Sequence, residues 1–150
     1  MPEFDQIDAN LYAQLGKLNR QMMRRTARLL QIYRITPQQF VLMTYLRQHE
    51  EAGLDASSPV KIDELVGLLG MPHPSILQII VVMMERGLLE QTSRDVDEMI
   101  SVRLTSEAQL WITDIIPYHE KIVADIFAVL LDDEREMLLS LIGKLLKMME

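Results

Sequence analysis

No cysteine occurs among the 150 residues. That excludes structural disulfides, thiolate metal sites and cysteine-based redox sensing. Histidine is scarce: only His49, His73 and His119 are present, and none falls at a recognised metal-ligand spacing. His49-Glu50-Glu51, near a helix end, reads as a solvated polar patch. The chain has no Gly-rich phosphate loop and no nucleophile motif, so neither enzyme activity nor a cofactor is expected. No stretch reads as a secretory signal, and the longest apolar runs fall short of a membrane span. A soluble, cytoplasmic protein without membrane contact is the expectation. No internal repeat or low-complexity stretch is visible.

Acidic residues are missing from one region only. Net charge is −7, the wrong sign for a protein that simply coats nucleic acid. Yet from Ala9 to His49 there is no Asp or Glu, while Lys17, Arg20, Arg24, Arg25, Arg28, Arg34 and Arg47 fall there. The remainder is strongly acidic and includes Glu90, Asp95, Asp97 and Glu98. Two readings of the basic run stand side by side. It is a solvated helix face that balances acid elsewhere, or a site for an anionic ligand or phosphate.

What is present in quantity is apolar: 49% of residues against 25% charged. One domain of ordinary size, spanning residues 1–150, with a real core is expected. The pattern is helical with one short strand pair. Asp5 or Asp8 caps a first helix to about Arg34, with an apolar stripe at Leu11, Leu15, Leu18, Met22 and Leu29. Thr36-Pro37 supplies a cap and a first-turn proline for a second helix to about Glu51. Ala52 to Pro59 is a loop, and Ile62 to Leu69 a third helix stopped by Gly70. Met71-Pro72-His73-Pro74 turns into a fourth helix, Pro74 to Arg86, ended by Gly87. Leu88 to Thr92 and Ile100 to Leu104 alternate as antiparallel strands around a turn from Ser93 to Met99. Thr105 caps a fifth helix in which Pro117 predicts a kink. Asp132 or Asp133 caps the last helix, through Leu138, Leu141, Leu145 and Met148.

Residues 35–105 therefore read as a winged helix-turn-helix between long terminal helices at 5–34 and 105–149, mainly α with a small β-wing. The fourth helix is apolar nearly all round. Ile76, Ile79, Ile80 and Met83 form a core face, and Leu77, Val81 and Met84 form a second apolar stripe. A helix of that kind usually has both faces covered. The eleven methionines read as adaptable filler of core and interface. The terminal apolar stripes exceed what one winged helix can cover, which points to a two-fold homodimer.

Several segments resemble the MarR family of bacterial and archaeal regulators, over nearly the whole chain. Ile35-Thr36-Pro37-Gln38-Gln39-Phe40 is similar to the opening of that family's second helix, and Ile62 to Gly70 to its third. Glu85-Arg86-Gly87-Leu88-Leu89 resembles the end of its recognition helix, and Leu104-Thr105 the end of its wing. The resemblance implies a triangular homodimer built on the first, fifth and sixth helices. It implies binding of double-stranded DNA through paired recognition helices and wings, and control by a small anionic aromatic ligand.

The chain departs from that family's pattern at the DNA side. Pro74, Ser75, Leu77 and Gln78 stand where small polar residues and an Arg are frequent. Val81 and Val82 replace an acid–base pair, and Asp97-Glu98-Met99 makes an acidic wing tip. The candidates for DNA contact are Lys61, His73, Ser75, Leu77, Gln78 and Arg94. Gln78 pairs with adenine, and Leu77 or Val81 touches a thymine methyl. For a ligand between the first, second and fifth helices, the resemblance offers Arg20, Arg24 or Arg28 as carboxylate partners and Tyr33, Tyr45 or Trp111 as an aromatic wall. Two functional classes follow: a ligand-responsive DNA-binding regulator, or a winged-helix dimer that holds a protein partner through its apolar fourth helix.

Overall fold

A computed structural model describes residues 5–51, 59–93 and 99–150. Helix α1 (Gln6–Leu30) starts at Asp5, whose carboxylate accepts from the Asp8 amide at 2.8 Å. The cap satisfies one of the amides that a helix start leaves orphaned. A 3-10 turn, Gln31–Tyr33, follows and ends on Arg34, whose φ of 55° lies in the left-handed region. Helix α2 (Pro37–Glu51) opens with a reciprocal capping box. The Gln39 amide donates to Thr36 Oγ1 at 3.1 Å, and the Thr36 amide donates to Gln39 Oε1 at 3.0 Å. This start, read in the sequence from Thr36-Pro37, stands as expected.

Val60–Lys61 forms a strand, β1, immediately before helix α3 (Ile62–Leu69). Gly70 ends α3 at φ 63°, with its N–H bonded to the Val66 carbonyl at 2.9 Å. A side chain at that dihedral would be strained. Helix α4 (His73–Glu85) begins one residue earlier than the sequence indicates, and Arg86 is its C-cap. The chain bends by 95° between α3 and α4, within the range of a helix-turn-helix. Strands β2 (Leu89–Gln91) and β4 (Val102–Leu104) pair antiparallel, in the register Leu89↔Leu104. Strand β3 (Met99–Ile100) pairs instead with β1. The sequence does not announce β1, because two residues beside Pro59 carry no alternation to detect. The loop expected at Ala52 to Ser58 and most of the expected wing turn, Arg94 to Glu98, lie outside the described residues.

Helix α5 (Ser106–Phe127) is capped by Thr105, whose Oγ1 accepts from the Ala108 amide at 3.2 Å and donates to the Gly87 carbonyl at 2.6 Å. It runs through Pro117 as one helix. Helix α6 (Asp132–Met149) starts from Leu131 rather than from an aspartate. Glu134 reaches back to accept from the Leu131 amide at 2.8 Å, so Asp132 and Asp133 are free to sit in the first turn. There they face the positive end of the helix dipole.

The core lies where α2, α4, the wing and the first half of α5 meet. Leu42, Met43, Leu65, Ile76, Met83, Leu88, Ile112 and Ile115 are all essentially without solvent contact. Leu30 at the end of α1 joins them. The terminal elements are different: α6 buries no residue at all within the chain.

Candidate nucleic-acid interface

Helix α4 is fixed by one face. Ile76, Ile80 and Met83 are buried, and Ile79 and Met84 pack against the same cluster. Met84 thus belongs with the core, contrary to its assignment to an outer stripe. It lies at the C-terminal end of the helix, where β2 packs against α4. The outer face is left to Leu77, at 39% exposure, and Val81, at 49%, with exposed Gln78 between them. His73 and Pro74 are exposed at the start of the helix, and Ser75 is half-buried. Lys61, at the N-cap of α3, is exposed. Arg94 lies outside the described residues.

Cationic charge is sparse on this side. Helix α4 itself contains no Lys or Arg, and its ionisable residues are His73 and Glu85. On the wing, Arg103 is exposed and faces Glu90 directly across the β2–β4 pair, with Nε 2.6 Å from the carboxylate. That carboxylate offsets the Arg103 charge on this face of the wing.

Arg86, the residue after α4, is committed to structure. Its guanidinium donates to the carbonyls of Arg34 (2.6 Å) and Tyr33 (3.0 Å) and lies 5.9 Å from the centre of the Trp111 ring. Tyr33 packs on Trp111 at 5.6 Å. The end of α4 is thereby tied to the turn after α1 and to α5. Sequence reasoning saw Arg86 only as part of a motif, although an Arg before a left-handed Gly is a legible signal of a residue held at a helix end.

The ligand candidates are not brought together. Tyr33 and Trp111 form the packed pair just described. Tyr45 donates its hydroxyl to Glu64 at 2.6 Å, tying α2 to α3. That bond, burial and the carboxylate's charge push its pKa up to about 12. Arg20 is exposed on α1. Arg24 and Arg28 line a shallow cleft with Arg34 and Thr36.

A cavity of about 580 Å³ does lie between α1, α2 and α5, but other residues line it, among them Met23, Thr26, Phe40, Thr44, Arg47 and His119. Arg47 is held there by Glu51, at 3.1 Å, and by Thr113 Oγ1, at 2.9 Å. The His119 Nε2 is 3.4 Å from Thr26 Oγ1, and its ring meets Phe40 edge-on at 4.9 Å. Burial lowers the His119 pKa below its ordinary 6.5, against a smaller opposing effect of Glu120. Arg47 was visible only as part of the basic run, Phe40 only in the opening of the second helix and His119 only as one of three histidines; that they share a cavity was not legible, because it exists only once three helices pack. Among the described residues, no three His, Asp or Glu side chains gather as a metal site would require.

No family model matches the sequence, and no curated protein sequence matches it significantly. Solved structures do. AbsC, a MarR family transcriptional regulator from Streptomyces coelicolor, superposes with a TM-score of 0.80 at 13% identity, over 99% of this chain and 98% of its own. MepR from S. aureus, solved as a DNA complex, matches at 0.74 and 15% identity over 100% of both chains. A mutant MarR from E. coli complexed with operator DNA matches at 0.75 and 18% identity, over 95% of this chain and 99% of its own. The helix order, the 95° turn and the small antiparallel wing are thus those of a MarR-like winged-helix fold.

Proposed function

We propose that the chain is a MarR-like transcriptional regulator that binds double-stranded DNA as a homodimer and responds to a small ligand. The observation that carries this is α4 itself. It is anchored by one face after a 95° turn, and its other face is presented by Leu77, Gln78 and Val81 with nothing in the described chain over it. The same fold, matched end to end, is bound to DNA in the S. aureus and E. coli structures.

The terminal helices support the homodimer. Leu11 (55%), Leu15 (44%), Leu141 (51%) and Leu145 (47%) stay exposed in the single chain. So does an apolar groove between α5 and α6, lined by Phe127, Leu138 and Ile142 among others. A second copy is the economical cover. The cavity between α1, α2 and α5 supports the ligand. Phe40 offers an aromatic wall, and Arg47 a guanidinium that a ligand carboxylate would share with Glu51. Arg24 and Arg28, in their separate cleft, are the alternative cations.

The exposed aliphatic pair on α4 also favours a second reading, a dimer that holds a protein partner there. Binding of the full-length protein to fragments of its own genome, titrated in salt, separates the two. Specific binding that persists at physiological salt is the expected result for the regulator. No binding at any salt removes it. Calorimetry with aromatic carboxylates on wild type, Arg47→Ala and Arg24→Ala then assigns the ligand site by which variant loses affinity.

A further inference from the structure

We propose that α4 selects its DNA by the 5-methyl groups of thymine, read in the major groove by Leu77 and Val81; the inference rests on the DNA-binding reading above. Leu77 and Val81 are the outward aliphatic residues of α4, at 39% and 49% exposure. They stand one helical turn apart, with the exposed amide of Gln78 beside them.

The only apolar group that a base pair offers in the major groove is the thymine methyl. Bidentate reading of guanine uses Arg or Lys, and α4 has neither. Gln78 is the side chain on this face that makes a bidentate contact, and its match is adenine. The helix is therefore equipped for A·T pairs and poorly equipped for G·C. Four residues of helix advance about 6 Å, and one strand advances about 3.4 Å per base. Leu77 and Val81 thus reach methyl groups about two base steps apart.

The full-length protein is presented with a pool of random-sequence duplexes, and the enriched site is remade with deoxyuridine for thymidine. Uracil keeps the base pairing and lacks the methyl. Burying one methyl-sized group corresponds to about a fourfold change in affinity, so replacing two contacted thymines weakens binding roughly tenfold or more. In Leu77→Ala and Val81→Ala the preference for thymidine over deoxyuridine shrinks towards unity at each contacted base. If neither variant folds, the ratio for wild type decides alone. Enrichment of a site whose uracil form binds equally well, or of a site without thymine in its half-sites, overturns the inference and leaves the regulator standing. Absence of any enriched sequence at low salt overturns both.

Discussion

Arg86 bridges two carbonyls at the end of another helix and lies against an indole, from a position just past α4. Hydrogen bonds from a charged group contribute about 1.5–3 kcal/mol each when removal leaves the partner bare. Arg86→Ala is expected to cost about 2–3 kcal/mol in total, since the exposed carbonyl of Arg34 regains water. Arg86→Lys is expected to recover little, because an ammonium cannot span both carbonyls and stack on Trp111. Urea denaturation measures both, and an unchanged midpoint in Arg86→Ala would sink the assignment. His119 gives a pH prediction. Its folded pKa lies below 6.5 because burial disfavours the cation. Below 6.5 the unfolded chain therefore takes up more protons than the folded one. Stability from this residue is complete above about pH 6.5 and declines as the pH falls through the window beneath it. His119→Gln, which cannot titrate, should flatten that part of the stability profile; an identical profile in wild type and variant assigns the slope to other groups.

Among the elements, α4 is where sequence pattern and structure are most instructive together. Its limits were legible from Pro74 and Gly87, and its buried face from Ile76, Ile80 and Met83. Leu77 and Val81 were legible as a second stripe, but whether that stripe is covered is a tertiary fact, and Met84 shows that the apolar pattern alone misassigns a residue near a helix end. Val81→Arg tests the outer face. It should fold as wild type, since Val81 is half-exposed, and bind non-specific DNA more tightly by adding a phosphate partner. Unfolding of this variant would place Val81 in the core instead. The caps at Asp5, Thr36 and Thr105 follow local chemistry and were readable. Strand β1 and the start of α6 at Leu131 were not, because one depends on a partner strand about forty residues away in sequence and the other on a glutamate reaching back to the backbone. The cavity lining was the least legible part of the candidate site. Met23, Phe40, Arg47 and His119 come from three helices and share no spacing.

For the whole molecule, the decisive property is the apolar surface that the single chain leaves open. Light scattering of the full-length protein at micromolar concentration should give twice the chain mass, and removal of Asp132 to Glu150 should yield monomer or aggregate. A well-behaved full-length monomer would contradict the homodimer. The link from Arg86 to the turn after α1 adds a mechanical consequence. Helix α1 has 25 residues and so is a rod of about 37 Å. Its far end carries Leu11 and Leu15, and its near end is fastened through two carbonyls to the base of α4. Any contact that covers Leu11 and Leu15 therefore acts on the same helix whose other end Arg86 ties to the base of α4.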